Sequence, residues 1–319
     1  MKLTKGVLAI QADVTCCCIE GVLRNQVFHQ LRRKGAVVGL SGGVDSSVVA
    51  SLCVRALGKD RVLGLFMPET ESSPQGLELA RSLAEQLGME TVLTDITPIL
   101  RALGCYSLRD QAIQQVIPGY GPGYRCKLVL PGILEGSGYN VFSVVVESPA
   151  GVQTKARLTA KAYLGIVAAT NFKQRTRKML EYYHTDRLQY AVAGTPNRLE
   201  YDLGFFVKNG DGAADVKPIA HLYKTQVYQL AEYLGIPEEI RRQPPTTDTY
   251  PLSQTQEEFY FALPLEELDL CLYGVDHHVP PFEVGEATGL TTQQVERVYA
   301  GIVAKRHATT YLHLQPLLF

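Results

Sequence analysis

The sequence predicts an α/β fold, in which a doubly wound, mostly parallel sheet of five strands carries helices on both faces. Two observations lead to this prediction. Short apolar runs typical of strands alternate with helical patterns, in the order β-α-β-α-β, over residues 37–96. A turn of small residues, Ser41–Gly43, joins the first strand to the helix that follows it. Such alternation implies parallel strands, right-handed crossovers and ligands at the carboxyl ends of the strands.

Apolar spacing and end signals predict the individual elements. Leu23, Val27 and Leu31 lie four residues apart and indicate an amphipathic helix over 19–33. Ser73 precedes a proline and caps a helix that ends before Gly88. In chain order, strands are expected at 37–40, 62–67, 90–96 and 190–193, and helices at 19–33, 46–57, 73–87, 176–183, 223–234, 265–272 and 291–305.

The pattern weakens over residues 104–164, which we interpret as an insertion. Pro118–Tyr124 is rich in turn residues, and 140–146 with 152–158 indicate a hairpin. A substrate lid, a structural appendage and a dimer contact are all compatible with this composition. We interpret the whole chain as one domain over 1–319. It has an N-terminal helix at 19–34, the insertion at 104–164 and a C-terminal helical part at 244–319.

Composition narrows the function classes. The chain has 319 residues, with 31 Lys and Arg against 32 Asp and Glu, and this balance argues against a general nucleic-acid or membrane-surface role. Gln11 and Asp13 interrupt the apolar patch near the start, so we expect no membrane span and a cytoplasmic protein. The seven cysteines are an odd number at irregular spacing, typical of reduced thiols. The run Cys16–Cys18 is either small apolar filling or a redox or metal feature.

The turn after the first strand has the chemistry of a pyrophosphate-binding loop. Two adjacent glycines allow the backbone to approach an anion, and Ser41, Ser46 and Ser47 add hydroxyl groups beside the free amides of the next helix. The common loop G-x-x-x-x-G-K-[ST] is absent, and Asp45 could instead hold Mg²⁺. The alternative is an ordinary strand-to-helix turn with serine caps.

A second group of polar residues follows the late strand, over residues 194–200 and 204–215. Each has an ordinary surface or turn interpretation when taken alone. Together with the loop they indicate a site, because Glu200 at a strand end can complete a carboxylate pair with Asp45. Two carboxylates with ATP phosphates suit the oxygen-seeking Mg²⁺ ion.

Two levels of resemblance follow from these motifs. Ser41–Ser46, in the pattern S-G-G-x-D-S, resembles the signature of the ATP pyrophosphatases. The ordered motifs of the chain are similar to those of ammonia-dependent NAD synthetases over about two-thirds of its length; they lie at 171–177, 194–200, 204–218, 222–227 and 244–248.

The resemblance implies an adenine nucleotide alpha hydrolase-like fold and a set of site residues. It implies that Mg²⁺ is held by Asp45 and Glu200, and that Asp45, Lys224 and Lys208 are catalytic. ATP is then bound by Gly39, Leu40, Ser41, Gly42, Gly43, Val44, Asp45, Ser46, Thr195, Lys224 and Thr246, and deamido-NAD by Arg175, Lys208, Asp215 and Lys305.

The implied reaction amidates deamido-NAD with ammonia in the final step of NAD biosynthesis, with ATP as co-substrate. The nicotinate carboxylate attacks the α-phosphorus of ATP, and ammonia then displaces AMP from the acyl adenylate. Fewer than forty residues precede the first strand, too few for a glutaminase domain, so we expect free ammonia or a separate glutaminase. A homodimer is also implied. Two alternatives remain: a related ligase for another carboxylate, and a non-catalytic nucleotide-binding module.

Three departures from the family pattern affect the substrate side. Ala304 stands where the family has a histidine before Lys305, so only the lysine of that pair carries over. The acidic stretch expected after Thr246 reads Gln254–Glu258, with amides in place of part of its acidic character. The insertion at 104–164 is longer than the family's usual connection.

Overall fold

A computed structural model of the chain describes residues 3–130, 142–246 and 249–318. In these residues the strands are β1 Ala36–Gly39, β2 Val62–Phe66, β3 Glu90–Leu93, β4 Arg125–Val129, β5 Ser143–Glu147, β6 Gln153–Arg157 and β7 Ala191–Val192. The α-helices are α1 Ala12–Arg24, α2 Val44–Leu57, α3 Pro74–Leu87, α4 Thr97–Ala102, α5 Cys105–Gln114, α6 Ala160–Leu188, α7 Arg198–Asp202, α8 Lys224–Tyr233, α9 Glu238–Arg241, α10 Leu265–Asp276, α11 Pro281–Thr288 and α12 Thr292–His313. Short 3₁₀ turns occur at Lys5–Leu8 and Lys59–Arg61, and π-helical turns at Asn25–Gln30 and Glu257–Phe261.

The central sheet is parallel, in the order β3-β2-β1-β7. The predicted α/β class is confirmed, but the described residues form four paired strands rather than five. At the place of a fifth strand there is a single parallel bridge between Ala193 and Val216. Pro218 follows two residues later, and because proline has no amide hydrogen it cannot extend the ladder.

Helices cover both faces of this sheet, as a doubly wound fold requires. Ala36 and Val38 point to one face and pack with α1, α2, α3 and α8. Val37 points to the opposite face with Leu63 and Leu65, and packs against apolar residues of α4 and α6. The alternation along β1 follows from the two-residue period of a strand.

The 104–164 region contains a second, antiparallel sheet in the order β4-β5-β6. The predicted hairpin corresponds to β5 and β6 in the described part, while residues 140 and 141 lie outside the described residues. Strand β4 and helix α5 were not predicted. The sheet packs on α5 and the start of α6 around a separate apolar cluster that includes Val144, Val146 and Ile166.

Several predicted helix bounds need correction. Helix α1 begins at Ala12 rather than at residue 19, and Leu31 is 38% exposed rather than buried. Helix α6 spans 29 residues, whereas only 176–183 was expected. The final helix ends at His313 rather than at 305, with Val295, Val298 and Ile302 buried as predicted. The caps of α3 by Ser73 and Gly88 are confirmed.

The N-terminal segment is more apolar than its first residues suggested. Lys5–Gln30 is long and apolar enough to cross a membrane by length and composition, with a mean hydropathy of 1.6 in its best window, of which 22% is buried. Core helices of soluble proteins pass the same test. In the structure Cys16, Ile19 and Leu23 pack into the main core, whereas Cys17 and Cys18 are exposed.

Candidate active site

The loop between β1 and α2 forms one wall of the site. Strand β1 ends at Gly39, and α2 begins at Val44. Gly42 has a φ of 82°, and a Cβ on it would lie 2.2 Å from the carbonyl oxygen of Gly76. Any other residue there would be strained and would displace α3, so the glycine has a conformational reason.

Serine hydroxyls fix the shape of this loop. The Ser46 hydroxyl donates to the carbonyl of Gly43 at 3.0 Å and lies 3.1 Å from the Ser41 hydroxyl. Ser47 also donates to the Gly43 carbonyl, at 2.8 Å. The first amides of α2 have no acceptor within the helix, and they leave this end favourable for an anion. The loop thus has free helix amides that can bind an anion, and pyrophosphate binding at this loop stays a prediction.

Asp45, in the first turn of α2, lies between an amide and an ammonium group. The side-chain amide of Asn197 donates to its Oδ1 at 3.1 Å, and Lys224 forms an ion pair with its Oδ2. Lys224 is only 1% exposed. Burial opposes its charge, but Asp45 and Glu200 together raise the pKa of Lys224 above its ordinary value. The site therefore keeps a buried cation next to Asp45.

Glu200 lies in the short helix α7, which is the first helix after β7 in the chain. Its Oε2 accepts from the backbone amide of Asn197 at 3.1 Å, and its Oε1 accepts from the side-chain amide of Gln256 at 2.8 Å. Burial and then the negative charge of Asp45 raise the pKa of Glu200 to about 7. Asp45 and Glu200 thus act on each other electrostatically, although they are far apart in sequence.

Helix α8 places Lys224 through a buried carboxylate. Asp269 of α10 accepts from the backbone amides of Lys224 at 3.2 Å and of Thr225 at 2.7 Å. These are the first amides of α8, which lack acceptors within the helix. Burial raises the pKa of Asp269 to about 6, although the two amides favour its charged form. The start of α8 is therefore held by hydrogen bonds that its amides donate to a carboxylate of α10.

The donor set at Asp45 and Glu200 fits a hard divalent cation. Both supply carboxylate oxygens, and their mutual repulsion is what a cation between them would relieve. Among the described residues, no group of three or more His, Cys, Asp and Glu side chains is arranged to hold a metal. Two protein carboxylates, completed by phosphates and water, is the arrangement that Mg²⁺ commonly adopts.

These groups meet where the strand order reverses. Strand β1 lies between β2 and β7, so its loop faces the residues that follow β7, including Thr195 and Glu200. Ligands of open α/β sheets bind at such a switch point. The sequence correctly predicted that the loop, Asp45 and Glu200 share one edge of the sheet.

Two residues expected to bind the dinucleotide, Arg175 and Lys208, form hydrogen bonds within the protein. Arg175 of α6 is exposed, and its guanidinium donates to the carbonyl of Lys208 at 3.3 Å. The ammonium of Lys208 donates to the carbonyls of Tyr311 and Leu314, at 2.8 and 3.1 Å. The structure brings Arg175 and Lys208 together, and Lys208 connects this pair to the C-terminal part of the chain.

Three further predicted residues have distinct surroundings. Asp215 accepts from the backbone amide of Val192 at 2.7 Å, at the end of β7. The ammonium of Lys305 donates to the carbonyl of Tyr260 at 2.6 Å, and burial lowers its pKa to about 8. Thr246 is exposed and pairs with Thr255 in an isolated bridge. Residue 248 of the same predicted turn lies outside the described residues.

The sequence did not identify four residues that hold the site. Asn197 stood inside the motif at 194–200, and its spacing of three from Glu200 is a capping-box signal that could have been used. Lys173 and Gln256 stood inside the stretches 171–177 and 254–258, but nothing in these stretches gave either residue a role, because their partners are distant in sequence. Asp269 has no local signal, since it binds amides of another helix. Only the fold reveals them.

Comparisons with known proteins identify the family of the chain. The family model described as NAD synthase matches residues 17–118 and 141–311. The NH(3)-dependent NAD(+) synthetase of Mesorhizobium japonicum is 60% identical over 311 residues, which is 98% of each chain. The enzyme of the same description from Thermotoga maritima is 40% identical over 246 residues, covering 77% of this chain and 81% of its own.

Solved structures show the same fold. The NH3-dependent NAD synthetase from Campylobacter jejuni has a TM-score of 0.63 at 23% identity. The match covers 98% of this chain and 100% of that chain. The NMN synthetase from Francisella tularensis has a TM-score of 0.61 at 20% identity, with 97% and 99% covered. At these identities the likeness concerns the fold alone. From the family match and the close relatives, we conclude that the chain belongs to the NAD synthase family.

Proposed function

We propose that this chain amidates deamido-NAD with ammonia, at the expense of ATP, and that the site around Asp45, Glu200 and Lys224 does so through an acyl adenylate. The products are NAD, AMP and pyrophosphate. The expectation of an ammonia-dependent NAD synthetase, a ligase of the final step of NAD biosynthesis, is confirmed by the family and by the 60% identical relative. The roles of individual residues below are our proposal.

One observation carries the assignment of the site. The loop Ser41–Gly43, the carboxylates Asp45 and Glu200, and the buried ammonium of Lys224 converge at the carboxyl edge of β1 and β7. An anion-binding loop next to two carboxylates and a buried cation suits the triphosphate of ATP with its metal. We assign ATP to Gly39–Ser46, Thr195, Lys224 and Thr246.

The reaction consists of two displacements. A carboxylate oxygen of deamido-NAD bonds to the α-phosphorus as the bond to pyrophosphate breaks. Ammonia then bonds to the acyl carbon, AMP leaves with the C–O bond electrons, and the nitrogen loses a proton to solvent. Lys224 and the amides at the start of α2 stabilise the charge that builds on the departing pyrophosphate, and binding both substrates supplies orientation.

Mg²⁺ is the cation that Asp45 and Glu200 would hold. Bound there, it would supply charge neutralisation at the phosphates. We place deamido-NAD near Arg175, Lys208, Asp215 and Lys305. The contact between Arg175 and Lys208 supports a shared role, since the exposed guanidinium is available to a phosphate or carboxylate.

The wider setting is also proposed. We infer that residues 1–319 act as one domain, in a cytoplasmic homodimer that uses free ammonia or ammonia from a separate glutaminase. The homodimer is supported by exposed apolar residues on α1 and α12, among them Val22 at 53% and Val303 at 57%, which a second copy could cover. Nucleic acid and membrane are not proposed as partners.

Turnover with defined substrates tests the proposal. The purified chain is incubated with ATP, Mg²⁺, ammonium and deamido-NAD, and AMP and NAD are separated by chromatography. Equal amounts of both are expected. Without ammonium, deamido-NAD should still promote exchange of labelled pyrophosphate into ATP, because the adenylate forms first. If a folded protein yields no AMP above background, the synthetase assignment must be abandoned; AMP formed with a different nicotinate carboxylate alone would favour the related ligase.

A further inference from the structure

Residues 249–258 form a segment that connects three parts of the molecule. The carbonyl of Thr249 accepts from the ammonium of Lys173 in α6, at 2.8 Å. The amide of Leu252 donates to the carbonyl of Cys126 in β4 at 3.2 Å. The side-chain amide of Gln254 donates to the carbonyl of Leu128, also in β4, and the side-chain amide of Gln256 donates to Glu200. The antiparallel sheet is thereby joined to the candidate active site.

Lys173 holds the start of this segment from a buried position. It is 1% exposed and pairs with Glu69 at 2.8 Å and Glu71 at 2.7 Å. Tyr106 donates to Glu69 at 2.6 Å, and Arg109 pairs with Glu71 at 2.7 Å. Every buried charge in this group has a partner, so the ammonium has one fixed place from which to bind the Thr249 carbonyl.

Gln256 holds the other end. Gln256 is 8% exposed, and its backbone amide donates to the carbonyl of Pro245 at 2.8 Å. Its side-chain amide takes one oxygen of Glu200, while the amide of Asn197 takes the other. Each oxygen of the buried carboxylate therefore has a donor from a different part of the chain, and the two together fix the plane of the carboxylate.

We propose that Gln256 is a positioning residue for Glu200, and that the antiparallel sheet β4–β6 with the buried Lys173 cluster supports Gln256. This inference rests on the proposed role of Glu200 as a metal ligand. It gives the insertion a function different from a lid, an appendage or a dimer contact. It also gives a function to the amide that stands in a stretch where the family pattern is acidic: an amide can donate to Glu200, whereas a carboxylate cannot.

Two substitutions separate donation from shape. Gln256→Ala removes the side chain, and Gln256→Glu keeps its shape but replaces the donor with an acceptor. Gln86→Ala is the matched control, because the side-chain amide of Gln86 also donates a hydrogen bond, to the carbonyl of Gly235 at 3.1 Å, but from the exposed side of α3 and outside the sheet β4–β6. For each protein, the Mg²⁺ concentration for half-maximal rate, kcat, the KM for deamido-NAD and Tm are measured. Calorimetric titration of ATP at several Mg²⁺ concentrations provides a measurement without turnover.

The expected result is a change in metal dependence with little change in substrate affinity. Residues behind metal ligands affect metal affinity or activity by about 10–100-fold. We therefore expect both Gln256 variants to need about tenfold more Mg²⁺, in turnover and in ATP titration, with Gln256→Glu no better than Gln256→Ala. In both Gln256 variants the KM for deamido-NAD should stay within about twofold of the wild-type value, a change too small to reflect a lost ligand contact. In Gln86→Ala both this KM and the Mg²⁺ requirement should stay within about twofold.

Two outcomes would overturn the inference. A Gln256→Glu variant with wild-type Mg²⁺ dependence would show that donation to Glu200 is unimportant. A lowered Tm with unchanged Mg²⁺ dependence in Gln256→Ala would show that the residue only stabilises the fold. If the wild type makes no AMP from deamido-NAD, the proposed function fails separately; the calorimetric comparison then decides, with weaker Mg²⁺-dependent binding of ATP in the variants supporting the inference and equal binding refuting it.

Discussion

Glu200 and Asp45 show at the scale of single residues how burial and charge are balanced. Glu200 is buried next to a second carboxylate, and both effects raise its pKa to about 7. Lys224 and two donated hydrogen bonds act in the opposite direction. Carboxylates perturbed in this way occur in functional sites and in structural ion-pair networks alike, so the roles of Asp45 and Glu200 are decided by their variants.

The first prediction concerns these two carboxylates. Asp45→Asn and Glu200→Gln should each lower AMP formation by about 100-fold or more, because either change leaves phosphate charge unneutralised. Asp60→Asn is the control, since its side chain is 90% exposed and lies beside Lys59, its neighbour in the chain. Circular dichroism and Tm establish that the variants are folded. Near-normal turnover in either variant would refute the metal assignment.

The second prediction concerns Arg175 and Lys208. Replacing either with alanine should raise the KM for deamido-NAD by about tenfold, the scale of one lost charge-assisted contact, and leave the KM for ATP within about twofold. Lys208 also holds the carbonyls of Tyr311 and Leu314, so its variant is compared with Lys208→Arg, which keeps the charge. A rise in the KM for ATP alone would mean that both roles are misassigned.

Sequence reasoning found the charged centre of the site but not its supports. Asp45 and Glu200 follow strand ends, and the alternation of strands and helices places strand ends together. The motif resemblance added Lys224. Gln256 and Asp269 were missed because their partners are 56 and 44 residues away. No spacing rule within one segment indicates such pairs.

At the scale of elements, helix α6 shows how one interpretation limited another. Apolar spacing predicts helices that bury one stripe against a core. The first half of α6 has such a stripe, because Ala162, Ile166 and Ala169 are buried at spacings of four and three residues. Residues up to 164 were interpreted as part of an insertion, so the start of the helix was missed and only 176–183 was predicted. Helices α2 and α3 bury apolar residues and have glycine ends, and both were predicted closely.

The third prediction concerns the packing of α12 through Lys305. Its ammonium lies 4.3 Å from the ring centre of Tyr260, and burial lowers its pKa from 10.5 to about 8. Between these values the unfolded chain binds more protons than the folded one, so stability should rise with pH from 8 to 10.5 and be lower below 8. Relative to Lys305→Met, which does not titrate, the wild type should gain roughly 1–3 kcal/mol across this window.

Urea denaturation of both proteins at several pH values gives this difference directly. The comparison removes the contribution of other titrating groups, which the two proteins share. A constant difference from pH 7.5 to 10.5 would show that Lys305 is not buried in solution. A difference that falls with rising pH would contradict the sign of the shift.

At the scale of the whole molecule, apolar surface is left uncovered on two helices. Val14 and Val22 of α1 are 50% and 53% exposed, on the segment that is apolar enough to resemble a membrane helix. Val303 and Tyr311 of α12 are 57% and 67% exposed. Exposed apolar side chains are the material from which interaction faces are built, and each of the two helices carries them. A second copy related by two-fold symmetry would cover the same patch on both chains.

The last prediction is that the protein is a homodimer whose interface includes α1. Light scattering at micromolar concentration should give twice the mass of one chain, and dilution should shift the distribution towards the monomer. Val14→Glu with Val22→Glu places two charges on the exposed face of α1 and should yield monomers with a raised KM for deamido-NAD, because a dinucleotide is long enough to need a groove beyond the ATP loop. Leu103→Glu, a change at a leucine that is 45% exposed outside both helices, should remain dimeric. If the wild type is a fully active monomer, one chain makes the entire dinucleotide site, and the apolar face of α1 requires a different partner.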